Sequence, residues 1–188
     1  MQIDRKLNLI IGLDRLEGTS YVHAMPIARP VFERYYLVMA KAFAEIYAGG
    51  LGPVAGPRVS ALVLKDIAGE GWGGANGVEM GLMNEIRRLT NILAPGPNGW
   101  GMQPWTGARA AGLVDEDEES EVENALVFFT LASVMHKKSI LPATLAVMGS
   151  LWGSSTTSLP AMEFVNSLPT STPADATGAS PTASSVPS

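Results

Sequence analysis

Cysteine is absent from this chain. Its absence excludes disulfides, thiolate zinc sites and cysteine nucleophiles, and nothing in the sequence points to an oxidising compartment. Histidine is also scarce: His23 and His136 occur, and neither stands at a triad or metal-site spacing from a serine, aspartate or glutamate. We therefore expect no catalytic residue, no metal and no cofactor, and we do not expect an enzyme.

Positive charge is sparse as well. The chain has 13 lysines and arginines against 18 aspartates and glutamates, which gives a formal net charge of −5. The cations are spread thinly, and Arg87-Arg88 and Lys137-Lys138 form no more than pairs. A nucleic-acid partner would require a basic face, so we expect none.

Long apolar runs are missing too. A membrane-spanning helix needs about 20 apolar residues, and the most apolar stretch, Ala125–Met135, is far shorter. The N-terminal residues Met1–Lys6 do not resemble a signal peptide. We expect a soluble, cytoplasmic protein with no membrane partner.

What the sequence does contain is a helix, predicted from Asp115 to Lys138, around which the rest of the chain packs. Seven of the 18 carboxylates lie between Asp115 and Glu123, and His136-Lys137-Lys138 close the segment. Carboxylates at the start and cations at the end match the partial charges of a helix. Because Ala125–Met135 is apolar almost all round, we expect this helix to be buried on every side.

The remaining pattern predicts a mainly α fold. A β-hairpin is expected at about residues 6–25, because β-branched and aromatic residues flank Asp14–Gly18. A long helix should follow from Pro30 and end at Gly49-Gly50. Further helices are predicted at 57–68, 78–93, 143–152 and, more weakly, 159–168, with an irregular segment at 95–113. The expected fold is an N-terminal hairpin packed on a bundle of about five helices (residues 1–168), followed by a disordered Ser/Thr/Pro/Ala-rich tail (residues 169–188).

A glycine-rich segment, Gly69–Gly74, matches the dinucleotide-binding spacing G-x-G-x-x-G. That motif binds a pyrophosphate only where a strand precedes the glycines and a helix follows them. Here the preceding segment is predicted to be a helix, so we interpret the glycines as an inter-helix loop.

The acidic run allows two interpretations. It lacks the D-x-D-x-D-G spacing of a calcium loop, so it is either a solvated helix start or a docking surface for a basic partner. The methionine and aromatic stripes are likewise either core or an adaptable apolar surface. The residues that could form a protein-binding surface are Glu118, Glu119, Glu121, Leu126, Phe129, Tyr36, Met39 and Phe43.

A short hairpin (Lys6–Met25) runs into a long helix (Val31–Tyr47), an acidic-then-apolar helix follows at Glu121–Phe129, and Ser167–Pro173 leads into a Ser/Thr/Pro/Ala tail. Together these three features resemble the tail assembly chaperones of long-tailed, lambda-like bacteriophages. The resemblance implies a non-enzymatic protein that coats the apolar-striped tape measure protein and recruits tail tube protein in the cytoplasm of the infected host. It further implies absence from the mature virion and, in many members, a longer product made by ribosomal frameshifting.

Two rival functions are left open by the residues. One is a structural or tail-completion protein of a phage particle, and the other is a small helical ligand-binding domain. Self-association of the chain is a further possibility that the sequence does not decide.

Overall fold

An antiparallel sheet of five strands, in the order β4-β3-β2-β1-β5, organises the fold. The structure is a computed structural model, and it describes residues 7–15, 18–96 and 99–168. The strands are β1 (Asn8–Arg15), β2 (Gly18–Ala24), β3 (Thr90–Gly96), β4 (Gly99–Pro104) and β5 (Ser154–Thr157).

Helices pack on both faces of this sheet, most of them on the inner face. They are α1 (Arg29–Ala48), α2 (Gly52–Ala68), α3 (Asn84–Arg88), α4 (Trp105–Ala110), α5 (Glu116–Met135), α6 (Leu141–Trp152) and α7 (Ala161–Asn166), with a 3₁₀ turn at Gly69–Gly71 and a π-helix at Glu79–Met83. Side chains of β1 alternate, so that Leu9, Ile11 and Leu13 join the helices in the main core.

The central helix is confirmed as α5. Asp115 is its N-cap and accepts a hydrogen bond from the N–H of Glu118, whose side chain in turn accepts from the N–H of Asp115. This reciprocal capping box satisfies donors that the first turn would otherwise leave unpaired. Every residue from Ala125 to Val134 is buried, because the sheet and the other helices surround this half of α5.

The N-terminal hairpin and the first long helix also match the prediction. β1 and β2 pair antiparallel, with Arg15 opposite Gly18 and Leu9 opposite Ala24. Helix α1 begins with Pro30 in its first turn and ends at its C-cap, Gly49.

The expected bundle of about five helices is wrong. The helix predicted over 78–93 is replaced by the π-helix, the short α3 and strand β3. The apolar residues Val78, Leu82, Ile86, Leu89 and Leu93 do have helical spacing, but Leu93 lies opposite Tyr21 of β2. Pairing with β2 overrides the local pattern, since strand formation depends on neighbours that are distant in sequence.

Most of the segment predicted to be irregular, 95–113, forms strand or helix in the residues that the structure describes, 95–96 and 99–113. β3 and β4 form a second hairpin, and α4 follows directly, with Trp105 and Ala108 in the core. The Pro- and Gly-rich stretch that was expected to stop a helix therefore connects two strands, which is the other common use of such residues.

Helix α2 begins earlier than predicted and presents a different face. It starts at Gly52, with Pro57 inside it, and its buried positions include Gly56, Ser60 and Leu64. The three- and four-residue spacing of Val59, Leu62, Val63 and Ile67 predicts that Leu62 points inward, but it is exposed. Gly56 lies on the buried face, where the absence of a side chain permits close contact with Phe128 of α5.

The outer face of the sheet carries a second, smaller apolar cluster. Leu93, Ala161 and Val165 form its buried part, and α7 lies over β3 and β4. Tyr21 packs edge-on against Phe164, with ring centroids 5.4 Å apart. The weak helix predicted at 159–168 is thus present as α7. The predicted disordered tail, 169–188, lies outside the described residues.

Candidate protein-binding groove

A groove of about 480 Å³ lies between α2, the π-helix with α3, and the first turns of α5. We call it the α2–α5 groove. It is lined by Ala61, Leu62, Lys65, Trp72, Glu79, Met83, Arg87, Glu116, Glu119, Ser120, Glu123 and Asn124. Apolar side chains from α2 and the π-helix lie beside more carboxylates than cations, which gives the groove an acidic character.

Arg87 joins two sides of this groove. Its Nε and Nη2 donate to the two carboxylate oxygens of Glu123 at 2.6 and 2.9 Å, and Nη1 donates to Glu79. The side chains of Arg87 and Glu123 are 13% and 14% exposed, so water screens this pair weakly. Hydrogen bonding to Glu123 is the main reason that the pKa of Arg87 is raised above its usual value. The guanidinium therefore keeps its charge and holds α3 against α5.

Asn124 joins the two long helices that border the groove. Its Oδ1 accepts a hydrogen bond from the backbone N–H of Ala61 at 2.9 Å, and its Nδ2 donates to the carbonyl of Ser120 at 2.8 Å. This buried amide is therefore satisfied on both sides, as a buried polar group has to be. The hydrogen bond to Ala61 fixes the position of α5 along α2.

Trp72 forms one end of the groove. The N–H of Glu79 donates to the carbonyl of Trp72 at 3.0 Å, which ties the glycine-rich loop to the π-helix. A Cβ at Gly77 would lie 2.4 Å from the same carbonyl oxygen, so the close approach requires glycine there. Lys65 Nζ lies 5.8 Å from the centre of the Trp72 ring. These contacts give Gly77 a packing role, whereas a Cβ at Gly71 or Gly73 would meet no atom within 4 Å. A helix, α2, precedes the loop as expected.

Four of the six charged side chains that line the groove are held in ion pairs, Arg87 with Glu79 and Glu123, and Glu119 with Arg109. Within the described ranges, no three histidine, aspartate or glutamate side chains converge in a way that could hold a metal ion. An open groove with an apolar floor and acidic walls can accept an amphipathic helix that carries basic residues beside its apolar stripe.

A second cavity, of about 380 Å³, lies between the end of β1, α2, α5 and α6. Glu118 and Glu121 contribute to it, together with Arg58 and Trp152. The Arg58 guanidinium lies 4.7 Å from the centre of the Trp152 ring and 3.9 Å from Glu121. Of the three predicted acidic surface residues, Glu119 therefore lines the α2–α5 groove, and the other two line this neighbouring cavity.

The predicted apolar surface residues do not form one patch. Met39, Leu126 and Phe129 are buried in the main core, so they correct the expectation that they contribute to a surface. They are buried because helix α5 is enclosed on all sides and Met39 lies on the inner face of α1. Tyr36 is exposed beside Phe32, at a distance from the half-buried Phe43.

Phe43 instead belongs to an aromatic cluster at the C-terminal end of α5. Its ring packs on Tyr47 and on His136, with centroid distances of 4.5 and 5.0 Å. The Tyr47 hydroxyl and His136 Nε2 are hydrogen-bonded at 2.7 Å. Burial lowers the pKa of His136 and raises the pKa of Tyr47, so both groups are neutral near pH 7.

The other histidine is a structural residue. His23 Nε2 donates to the carbonyl of Leu159 at 3.1 Å, and Asn8 Nδ2 donates to the same oxygen at 3.0 Å. Two strands thus hold the segment that leads into α7.

Sequence reasoning missed the residues that build the groove. The apolar face of the helix predicted over 78–93 places Arg87 on the opposite, solvent-facing side, and Glu79, Glu123 and Asn124 do not stand out in the sequence. The partners of Arg87 stand 8 and 36 residues away along the chain, so no local spacing identifies the ion-pair network.

No helix among the described residues has the length and apolar character needed to cross a bilayer. Comparisons with protein-family models, curated proteins and solved structures found no match for this chain. The fold and the groove geometry therefore stand as the basis for a functional proposal.

Proposed function

We propose that this protein is a non-enzymatic assembly chaperone of a long-tailed bacteriophage. It would bind the tape measure protein, keep it soluble and promote assembly of the tail tube around it in the cytoplasm of the infected host. It would then be absent from the mature virion.

The observation that carries this proposal is the chemistry of the α2–α5 groove. A tape measure protein is a long helical client with an apolar stripe. Such a helix can bury its stripe against Ala61, Leu62 and Met83, and a flanking lysine can pair with Glu116 on the groove wall. Charge on the wall accelerates encounter with a basic client and limits self-aggregation of the exposed apolar floor.

The first experiment is co-expression with the tape measure protein of the same phage. We expect a higher soluble yield of the client and co-purification of the two proteins at low salt, with binding weakened as salt increases. A client that stays insoluble and fails to co-purify at low salt would contradict the proposal. Recovery of this chain from purified particles would instead favour a structural role in the virion.

Two matched substitutions on α2 test whether the client binds in the α2–α5 groove. Leu62→Asp puts a charge on the groove floor, and Val54→Asp puts the same charge at a similarly exposed position of the same helix, outside the groove lining. We expect Leu62→Asp to abolish co-purification and Val54→Asp to retain it, with both variants folding normally by circular dichroism. Equal co-purification of the tape measure protein with both variants would show that the client does not bind in the groove.

A further inference from the structure

Strand β4 forms one edge of the sheet, and among the described residues its protection as an edge strand is limited to its short length and Pro104. Among the described strands it pairs with β3 alone. Its sequence, Gly99 to Pro104, carries no charged side chain. Natural edge strands are normally guarded by charge, by bulges or by a covering element, because their free N–H and C=O groups pair with any available strand.

The two prolines reveal which backbone groups of β4 point away from the sheet. Pro95 lies opposite Trp100, and Pro104 lies opposite Asn91. Proline has no N–H, so these must be the pairs that do not exchange hydrogen bonds. Met102 stands two residues from Trp100, so its pair with Leu93 does not exchange hydrogen bonds either. The N–H and C=O groups of Trp100 and Met102 therefore point to the open edge.

A separate hydrogen bond supports this assignment. The N–H of Met25 donates to the carbonyl of Leu89 at 3.0 Å, just beyond the ends of β2 and β3. Because hydrogen-bonded pairs alternate along an antiparallel ladder, the odd-numbered residues of β3 form hydrogen bonds with β2. The backbone groups of Leu93 therefore point toward β2, and Leu93 does not exchange hydrogen bonds with Met102.

Side chains along the outer face lead to the same edge. Tyr21, Leu93 and Met102 lie opposite one another on three neighbouring strands and form an apolar row. The row is buried at Leu93 and ends at Met102, which is 52% exposed. Trp100, two residues from Met102, lies on the same face and contacts Tyr21 with a centroid distance of 5.7 Å. The apolar row therefore ends at β4, the strand whose outward N–H and C=O groups face no partner strand among the described residues.

We infer that β4 is the interface of a symmetric dimer, in which it pairs antiparallel with β4 of a second copy. The register is centred on Gly101, so that Trp100 of each copy lies opposite Met102 of the other. The outward N–H and C=O groups of both residues are then all hydrogen-bonded, and one antiparallel sheet runs through the two copies. Each exposed Met102 also gains an aromatic neighbour, a favourable sulfur–ring contact.

The strand is complementary to itself, and this favours a second copy over a foreign strand. A two-fold axis requires that the same segment supply both sides of the contact. A register centred on Met102 would place Trp100 opposite Pro104, whose missing N–H leaves the Trp100 carbonyl unpaired. The Gly101-centred register avoids that loss.

The absence of cysteine allows a direct test. A Cβ at Gly101 meets nothing closer than the carbonyl oxygen of Ala94 at 3.8 Å, so Gly101→Cys fits the strand. In the inferred register the two introduced cysteines face each other in a pair without hydrogen bonds, where Cα atoms lie about 4.5 Å apart and a disulfide can form. Under mild oxidation we expect a covalent dimer from Gly101→Cys and none from Ser155→Cys, an exposed position on the opposite edge strand β5. Absence of cross-linking at Gly101, or equal cross-linking at both positions, would overturn the inference.

The second measurement is of the monomer–dimer equilibrium, by sedimentation velocity over a concentration series. Met102→Lys places a charge on the edge without entering the core, and Met80→Lys makes the same change at a 56% exposed methionine on the π-helix. We expect the native chain and Met80→Lys to dimerise equally, and Met102→Lys to raise the dimer dissociation constant by roughly tenfold or more. A native chain that is monomeric at every concentration, or a dimer unaffected by Met102→Lys, would contradict the β4 interface. Sedimentation of the chain alone involves no client, so its result does not depend on whether the chain binds a tape measure protein.

Discussion

Gly56 of α2 lies directly against the ring of Phe128 on α5. A Cβ at residue 56 would come within 2.6 Å of Phe128 Cε2 and 3.0 Å of a methyl group of Ile46. The two helices can therefore cross this closely because residue 56 has no side chain, and their crossing fixes the floor of the α2–α5 groove.

Gly56→Ala is expected to destabilise the fold by about 1–3 kcal/mol, the usual cost of overpacking a core. Urea denaturation of the variant and the native chain measures the difference. Gly107→Ala, in helix α4, serves as the control, because its Cβ would meet no atom closer than Gln103 Nε2 at 3.5 Å. The control should be neutral or slightly stabilising, since alanine favours a helix. Equal destabilisation by both substitutions would contradict the close packing at Gly56.

Arg87→Met tests the ion-pair network of the groove. Removal of the guanidinium leaves Glu79 and Glu123 without their shared partner, and we expect a loss of about 2 kcal/mol, less than for a fully buried pair. Arg88→Met is the matched control, because Arg88 is exposed and pairs with Glu85 on the same helix; it should change stability little. Thermal unfolding measures the loss of stability in each variant. A similar loss in both would show that the Arg87 network contributes no more to stability than an exposed ion pair.

Stability should depend on pH through His136. Burial lowers the pKa of this imidazole below its usual 6.5, so the unfolded chain binds a proton more readily than the folded one. The contribution to stability is therefore complete above pH 6.5 and is lost as pH falls through the folded-state pKa. Denaturation midpoints measured from pH 8 downward should show this decline, and His136→Gln should reduce it. An unchanged pH profile in that variant would assign the effect to other groups.

Asn8→Ala should loosen the segment that carries α7. The substitution removes one of the two hydrogen bonds to the Leu159 carbonyl, a net cost of about 1 kcal/mol. Hydrogen exchange should increase mainly in residues 159–168, because α7 packs on a cluster separate from the main core. Protection that falls equally in α5 would instead indicate that α7 and the core unfold as one unit.

Some elements were predictable because their signals are local. Helix α1 has proline in its first turn and glycine at its end. Helix α5 has the Asp115–Glu118 capping box and a fully apolar second half. The N-terminal hairpin joins two β-rich segments through a short turn. In each of these cases, the residues that determine the structure lie within a few positions of one another.

The sheet and the groove were not predictable in this way. Thr90–Gly96 is a strand because β2 and β4 lie on either side of it, although its first residues continue a helical pattern. Leu62 is exposed and Leu64 buried because α2 turns toward α5 the face that carries Gly56.

By itself, the sequence determined the first long helix, the buried character of the central helix, its acidic start and the hairpin. The tertiary structure alone decided that a sheet of five strands replaces the bundle, that Arg87 meets Glu123, and that β4 lies at an edge. Caps and periodicity act between neighbours in the chain, whereas strand pairing and ion pairs between elements join residues that only folding brings together.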